Sequence, residues 1–395
     1  MRISMIGTRG VPATYGGFET AIEEIGKRLV HRGHDVTVYC RRSAGIDTAA
    51  SHEGMRLVHL PAIRSRALET LSHTALSTLH GLFSRRQEVA FVFNAANAPF
   101  VPLIRARGVP VAVHVDGLEW KRAKWGRAGQ RYYRAAEALA VATADALIAD
   151  AEGIASYYRD EFDVATEFIS YGSRRVEAAR SENIARLGLK SKAYHLVVAR
   201  FEPENHVEVI LRGFSASAAT LPMIVVGSAP YSAKYTAAIE SLRSADSRIV
   251  LLGAVWDQEL LDDLYENALT YVHGHSVGGT NPSLLRAMGA GTAVLAWDVS
   301  FNREVLGSDG LYFSNHEGIA AALTASERDA QDFVERGQRL REDVTARYNW
   351  DDVAREYESL AERLVSGSTI HGVRRRRGQR PSTDSTRPFE KGQAK

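Results

Sequence analysis

The sequence predicts an α/β chain made of two Rossmann-like halves, each a parallel sheet covered by helices. Three observations carry this. Apolar strand-like runs alternate with helix-like stretches in two separate series, the pattern of helices packed on a parallel sheet. The first run, Arg2 to Ile6, leads into a long glycine-rich turn. A second such turn, His273 to Met288 (HGHSVGGTNPSLLRAM), lies between the apolar runs 268–272 and 292–297.

In order, Arg2 to Ile6 reads as a buried strand. The turn Gly7 to Glu19 follows, then an amphipathic helix to about Arg32 and a strand at 35–39. The glycine spacing is not G-x-G-x-x-G, so the dinucleotide fingerprint fails. A loop with several glycines and Arg9 can instead wrap a polar ligand at the carboxyl end of a sheet. Residues 55–60 and 89–94 read as strands. Between them, Leu68, Leu71, Ala75, Leu79 and Leu82 fall near helical spacing and are expected in the core; a helix lying on a membrane surface is the alternative. The strand 109–115 ends in Asp116, where α/β enzymes place chemistry, although a plain helix cap would also suit an aspartate there. The basic and aromatic stretch 120–134 suits an anionic acceptor at a membrane, or an ordinary helix face.

Residues 173–193 read as a linker with a short helix. A second series then runs through strands at 194–199, 222–227 and 248–253, with helices between, to the second glycine turn. There Pro282 suits a first helical position, and Thr280 or Asn281 can cap. Gly278 and Gly279 admit close approach to bare backbone. A strand, a glycine loop and a helix N-terminus make an anion site, or a tight turn that binds nothing. Helices at 316–346 and about 350–364 close the chain.

Bulk properties narrow the class. The chain has 395 residues, 45% of them hydrophobic and 24% charged, enough for two ordinary cores. A single cysteine, Cys40, rules out a disulfide framework and suggests a reducing compartment. Nothing at the start reads as a signal peptide and no apolar run approaches the ~20 residues of a membrane span, so a cytoplasmic protein is expected. From His371 to Lys395 eight Lys/Arg stand against Asp384 and Glu390, net +6, which leaves −4 for the rest. That body charge argues against nucleic acid as a partner. The tail 367–395 is expected to be disordered, free in solvent or touching anionic lipid.

Four stretches together, GTRGVPATYGGFET, VDGLEWKRAKW, RFEPENHVE and GHSVGGTNPSLLRAM, resemble retaining glycosyltransferases of family 4, and within them a bacterial rhamnosyltransferase-like subgroup of cell-surface polysaccharide synthesis. The resemblance implies the GT-B fold: an acceptor-binding domain over 1–173, a nucleotide-sugar domain over 190–349 facing it across a cleft, and a helix at about 350–366 packing back on the first. It implies that Arg200 and the backbone of Gly278, Gly279 and Thr280 hold the donor diphosphate, with Asn281 beside them. Gly16 and Gly17 would line the cleft and Asp116 would be the acceptor-side catalytic residue. No cofactor and no metal are expected, since fixed positive groups and a helix N-terminus can stabilise the leaving diphosphate.

Three departures matter. The family's two glutamates, separated by seven residues, are Gly278 and Arg286 here; the second normally holds the donor ribose, so Arg286 either meets an extra negative charge or marks an impaired enzyme. The family's lysine after the Arg200 motif is Asn205, which removes a charge that His206, His273 or His275 could restore, each otherwise a structural histidine. The histidine before Asp116 is Val115, with His114 facing the other way on its strand. The expected activity is transfer of a hexose or deoxyhexose, rhamnose from a dTDP donor among them, to a lipid-linked or glycan acceptor at the cytoplasmic membrane face. The rivals are a nucleotide-sugar epimerase of the same fold and a degenerate transferase kept as a partner subunit.

Overall fold

The computed structural model describes residues 1–13, 17–42, 49–65, 68–115, 117–122, 125–174, 181–228 and 233–373. The amino half contains β1 (Arg2–Ile6), α1 (Gly17–His31), β2 (Asp35–Arg41), β3 (Ser51–His52), β4 (Met55–Leu60), α2 (Glu69–Phe83), β5 (Val89–Phe93), α3 (Val101–Ala106), β6 (Val111–His114), α4 (Arg127–Thr143), β7 (Ala146–Ala149), α5 (Glu152–Phe162) and β8 (Glu167–Phe168). After α6 (Ser181–Arg186) the second half contains β9 (His195–Val198), α7 (Val207–Ala216), β10 (Met223–Val226), α8 (Ala233–Ala245), β11 (Ile249–Gly253), α9 (Gln258–Asn267), β12 (Thr270–His273), α10 (Pro282–Gly289), β13 (Ala293–Trp297), α11 (Ser300–Leu306), β14 (Leu311–Phe313), α12 (His316–Arg328) and α13 (Ala330–Arg347). The chain ends in α14 (Trp350–Ser366) and a hairpin of β15 (Ser368–Thr369) and β16 (Gly372–Val373).

The two sheets share one winding. The first runs β3-β4-β2-β1-β5-β6-β7-β8, parallel except for β3 against β4. The second runs β11-β10-β9-β12-β13-β14. In each, strand order reverses beside the first strand, between β1 and β5 and between β9 and β12, and such switch points open a crevice at the carboxyl ends. The strands read as continuous apolar runs because helices bury both faces. Short β14 lies beyond Val305, where the apolar pattern of the sequence fades.

The chain returns to its first half through α14, which packs on α1 and β5. Val353, Tyr357, Leu360 and Leu364 are buried along one face, each worth about 1.5–3 kcal/mol by area removed from water. The pairs Arg28–Asp351 and Arg32–Glu358 join the same helices at 2.7 and 3.1 Å, but partly exposed pairs contribute about 0–1 kcal/mol each. Apolar burial therefore holds the helix down.

Two sequence expectations are corrected. Residues 367–373 are ordered: Gly367 and Gly372 adopt left-handed φ of 109° and 94°, which lets the chain turn back as a hairpin, and Ile370 N–H donates to the Asp145 carbonyl at 2.9 Å. The remainder of the tail, 374–395, lies outside the described residues. The helix α2 does not turn its leucines inward. Its buried residues are His73, Thr74, Ser77 and Thr78, while Leu68 and Leu79 are exposed.

Candidate functional site

The carboxyl ends of the two sheets meet. Gly17, the first residue of α1, is so close to α10 that a Cβ there would lie 3.0 Å from Pro282 Cγ. Two helix N-termini from opposite halves thus approach one place, each ending in backbone N–H groups with partial positive charge. A Cβ on Gly117 would overlap the Gly278 backbone, and one on Gly279 would overlap Asp150 Oδ1. Thr280 Oγ1 donates to the Asp150 carbonyl at 2.6 Å. Gly278 has φ of 138°, which excludes a side chain at low cost. Asn281 caps α10 by accepting from Ser283 N–H at 2.9 Å, as its sequence position predicts.

A cluster of histidines with Arg200 lies at the switch point of the second sheet. The turn after β9 carries Arg200 and the turn after β12 carries His275; Ser276 N–H and Oγ both donate to the Glu204 carbonyl at 3.0 Å, tying the turns together. His273 and His275 stack at 4.4 Å between ring centres. Burial pushes the His273 pKa down to about 3. Burial also pushes His275 well below the ordinary histidine value, helped by His273, Arg200, Arg122 and His206. Both rings are neutral near pH 7, and the positive charge resides on the arginines. His206 stacks on Trp297 at 3.6 Å and bonds to the Gly274 carbonyl at 2.8 Å, a fixed wall of the turn.

The amino half adds Asp150 and Arg122, which the sequence did not single out, together with His114. Asp150 is buried at the end of β7, and its Oδ1 has no hydrogen-bond partner among the described residues. Its Oδ2 lies 3.8 Å from Nε2 of buried His114, whose Nδ1 bonds to the Tyr357 hydroxyl of α14 at 2.9 Å. His114 packs among Phe18, Phe93 and Tyr171, the face opposite Val115, as strand alternation requires. Arg122 pairs with Glu119 and reaches across to Glu204 of the second half at 3.9 Å. Asp150 was legible by the argument applied to Asp116, a carboxylate ending a parallel strand. Arg122 stood within the basic stretch already noted.

The sequence-derived residues are placed as follows. Gly17, Gly278, Gly279, Thr280 and Asn281 come together. Arg200 sits beside His275. Asn205 is buried and its amide donates to the Arg200 carbonyl at 2.8 Å, so it shapes the turn. Arg9 lies by Glu19 and the end of β2: its N–H donates to Glu19 at 3.0 Å and its carbonyl accepts from Arg41. Arg286 is engaged by α9, pairing with Asp262 at 2.6 Å and donating to Gln258 at 2.9 and 2.8 Å. Gly16 and Asp116 lie outside the described residues. In the stretch 120–134, Arg134 packs over the Trp120 ring at 4.5 Å, while Arg127 and Arg131 are exposed. Among the described residues, no group of three or more His, Cys, Asp or Glu is placed to hold a metal ion.

Residues 192–336 match the family model described as Glycosyl transferases group 1. The carboxyl half is a glycosyltransferase domain. Residues 1–174 match a model described as a domain of unknown function, DUF1972. No curated protein matches the sequence. Among solved structures, sucrose-phosphate synthase from Thermosynechococcus elongatus superposes with a TM-score of 0.80 at 18% identity, over 92% of this chain and 98% of that one. HepE of Anabaena in complex with UDP-glucose gives 0.75 at 14% identity, over 92% and 100%. The trehalose-6-phosphate enzyme structure from E. coli bound with UDP-2-fluoro glucose gives 0.67 at 11%, over 92% and 99%. The chain has the GT-B fold.

Proposed function

We propose that this glycosyltransferase moves a sugar from a nucleotide-sugar donor, held by the second half, to a lipid-linked or polysaccharide acceptor held by the first, with retention and without a metal or other cofactor. Rhamnose from its dTDP donor is the first candidate, after the family 4 rhamnosyltransferase-like subgroup that the four motifs resemble. UDP-sugars come next, since HepE carries UDP-glucose. The observation that carries the reading is the approach of the α1 and α10 N-termini at Gly17 and Pro282, with Arg200 close enough to influence His275 in the turn that leads into α10. A leaving nucleoside diphosphate gains charge as its bond to the sugar breaks. Fixed N–H groups and an arginine stabilise that charge without reorganising. Asp116 and Asp150 are the carboxylates on the acceptor side, and the exposed Arg127 and Arg131 suit an anionic acceptor. The site of action is the cytoplasmic membrane face.

The test is a thermal-shift screen with dTDP-, UDP-, GDP- and ADP-sugars, in chelator and then in magnesium. A ligand at 100 times its Kd stabilises by about 2.7 kcal/mol, so one selective, chelator-resistant shift is expected. No shift with any donor would reject the reading. One observation favours a second reading, a non-catalytic partner subunit: Arg286 stands where the family has its ribose-holding glutamate and is bound by Asp262 and Gln258. Donor binding gained in Arg286→Glu would support that alternative.

A further inference from the structure

We propose that α2 is the docking surface of this protein for an anionic lipid bilayer. The helix is turned inside out. The side facing the domain carries His73, Thr74, Ser77 and Thr78. The outer side carries Leu68, Leu76, Leu79 and Phe83, exposed by 48%, 37%, 51% and 85%. Spacings of eight, three and four residues put these four side chains on one face. Neighbouring α3 adds Leu103, half exposed. The inward face is polar yet uncharged, since burial lowers the His73 pKa to about 4. A contiguous apolar stripe of this kind marks an interaction site.

Charge selects the occupant. Exposed Arg64 lies before the first turn, and exposed Arg85 and Arg86 lie after the last. The single acidic residue of the helix, Glu69, is paired with Arg41. A second copy stacked antiparallel on this face would set Arg64 against the partner's Arg85 and Arg86, so like charges would oppose. An anionic bilayer instead attracts both ends while the leucines and Phe83 enter the acyl boundary. The helix is fifteen residues long, about 22 Å, and lies in the membrane plane rather than across it. Among the described residues no helix is long and apolar enough to cross a membrane. Because α2 follows parallel β4, its first turn lies at the carboxyl edge of the sheet, the edge that faces the cleft. The stripe would therefore bring the cleft mouth to the lipid surface, where a lipid-linked acceptor resides. That consequence rests on the transfer reading above; the docking itself does not.

The test is co-sedimentation of the full chain with phosphatidylcholine vesicles, with and without phosphatidylglycerol. Binding is expected only with the anionic lipid. Leu79→Gln with Phe83→Gln should weaken it about tenfold, and Arg85→Glu with Arg86→Glu by a similar factor. Melting temperature and donor-induced shift should not change, since these side chains are exposed and remote from Gly17 and Pro282. Three results would overturn the proposal: no vesicle binding by the parent chain, binding unaltered in both variants, which would assign it to other basic residues, or a dimer that the first variant dissociates in light scattering. Failure of the transfer reading appears separately, as a parent chain that binds vesicles but shifts with no donor.

Discussion

The two sheets, of eight and six strands, share the same winding about their first strand, yet their switch points are finished differently. In the second half, the crevice between β9 and β12 carries Arg200 and the stacked His273 and His275, in the turns after those strands, the second of which leads into α10. In the first half, the crevice between β1 and β5 is closed by Asn97, whose buried amide donates to the Phe93 carbonyl at 2.8 Å and the Gly7 carbonyl at 3.4 Å. The first half places its titratable groups one and two strands beyond β5: His114 ends β6 and Asp150 follows β7. One winding thus yields an arginine- and histidine-bearing crevice on one side and a carboxylate-bearing wall on the other. Topology supplies the crevice; the residues in the turns decide its chemistry.

The comparison breaks most easily where the halves touch. Gly279→Val would drive a side chain into Asp150 Oδ1 and Ile154 Cδ1 and force the halves apart. Misplacing reacting groups by an ångström can cost about 100-fold, so turnover should fall by at least that factor, with a larger radius of gyration in X-ray scattering. Normal turnover in this variant would show that the contact is incidental. The crevice of the second half is tested by Arg200→Ala. Loss of a charged hydrogen bond is worth about 1.5–3 kcal/mol, so calorimetry should show donor affinity reduced roughly 10- to 100-fold at unchanged melting temperature.

Tyr357→Phe sharpens the description of the wall. It leaves His114 Nδ1 buried without its partner, and about 1–3 kcal/mol of unfolding free energy should be lost in urea titration. The mildest test is pH. His73 and His273 have folded pKa values lowered to about 4 and about 3 by burial, against an ordinary value near 6.5. Above that ordinary value both states are neutral and nothing changes. Below it the unfolded chain takes up protons that the folded chain refuses, so stability falls as pH drops. Each histidine contributes about 1.4 kcal/mol per pH unit from near 6.5 toward its folded pKa. Denaturant midpoints at pH 7.5 and 5.5 should differ accordingly, and His73→Asn should reduce the slope.

Much of the site was legible before any contact was known. Pro282 at the first helical position and Asn281 as a cap follow from local chemistry, and Gly278 and Gly279 from the need for bare backbone. Asp150 was open to the strand-end argument used for Asp116, but only the glycine loop of the other half that covers it sets it apart from other carboxylates. Arg286 and Asn205 stand at positions where the resemblance places donor contacts. Their partners, Asp262 with Gln258 and the Arg200 carbonyl, lie 24, 28 and 5 residues away, and spacing does not reveal which way a long side chain turns. The stripe on α2 shows the same limit. Helical periodicity established that leucines share a face, but the leucine positions near helical spacing do not say which face meets the sheet.

By itself, the sequence determined the alternation of strands and helices, the two parallel sheets and the two glycine turns. These depend on period, branching and backbone freedom, which act over a few residues. The resemblance implied that the halves face each other and that the last helix returns to the first half, but the tertiary structure alone decided that Asp150 lies under Gly279 and that α2 buries its polar side. Those outcomes depend on contacts between residues more than a hundred positions apart, or on which surface a helix finds when the core closes, and no local pattern encodes them.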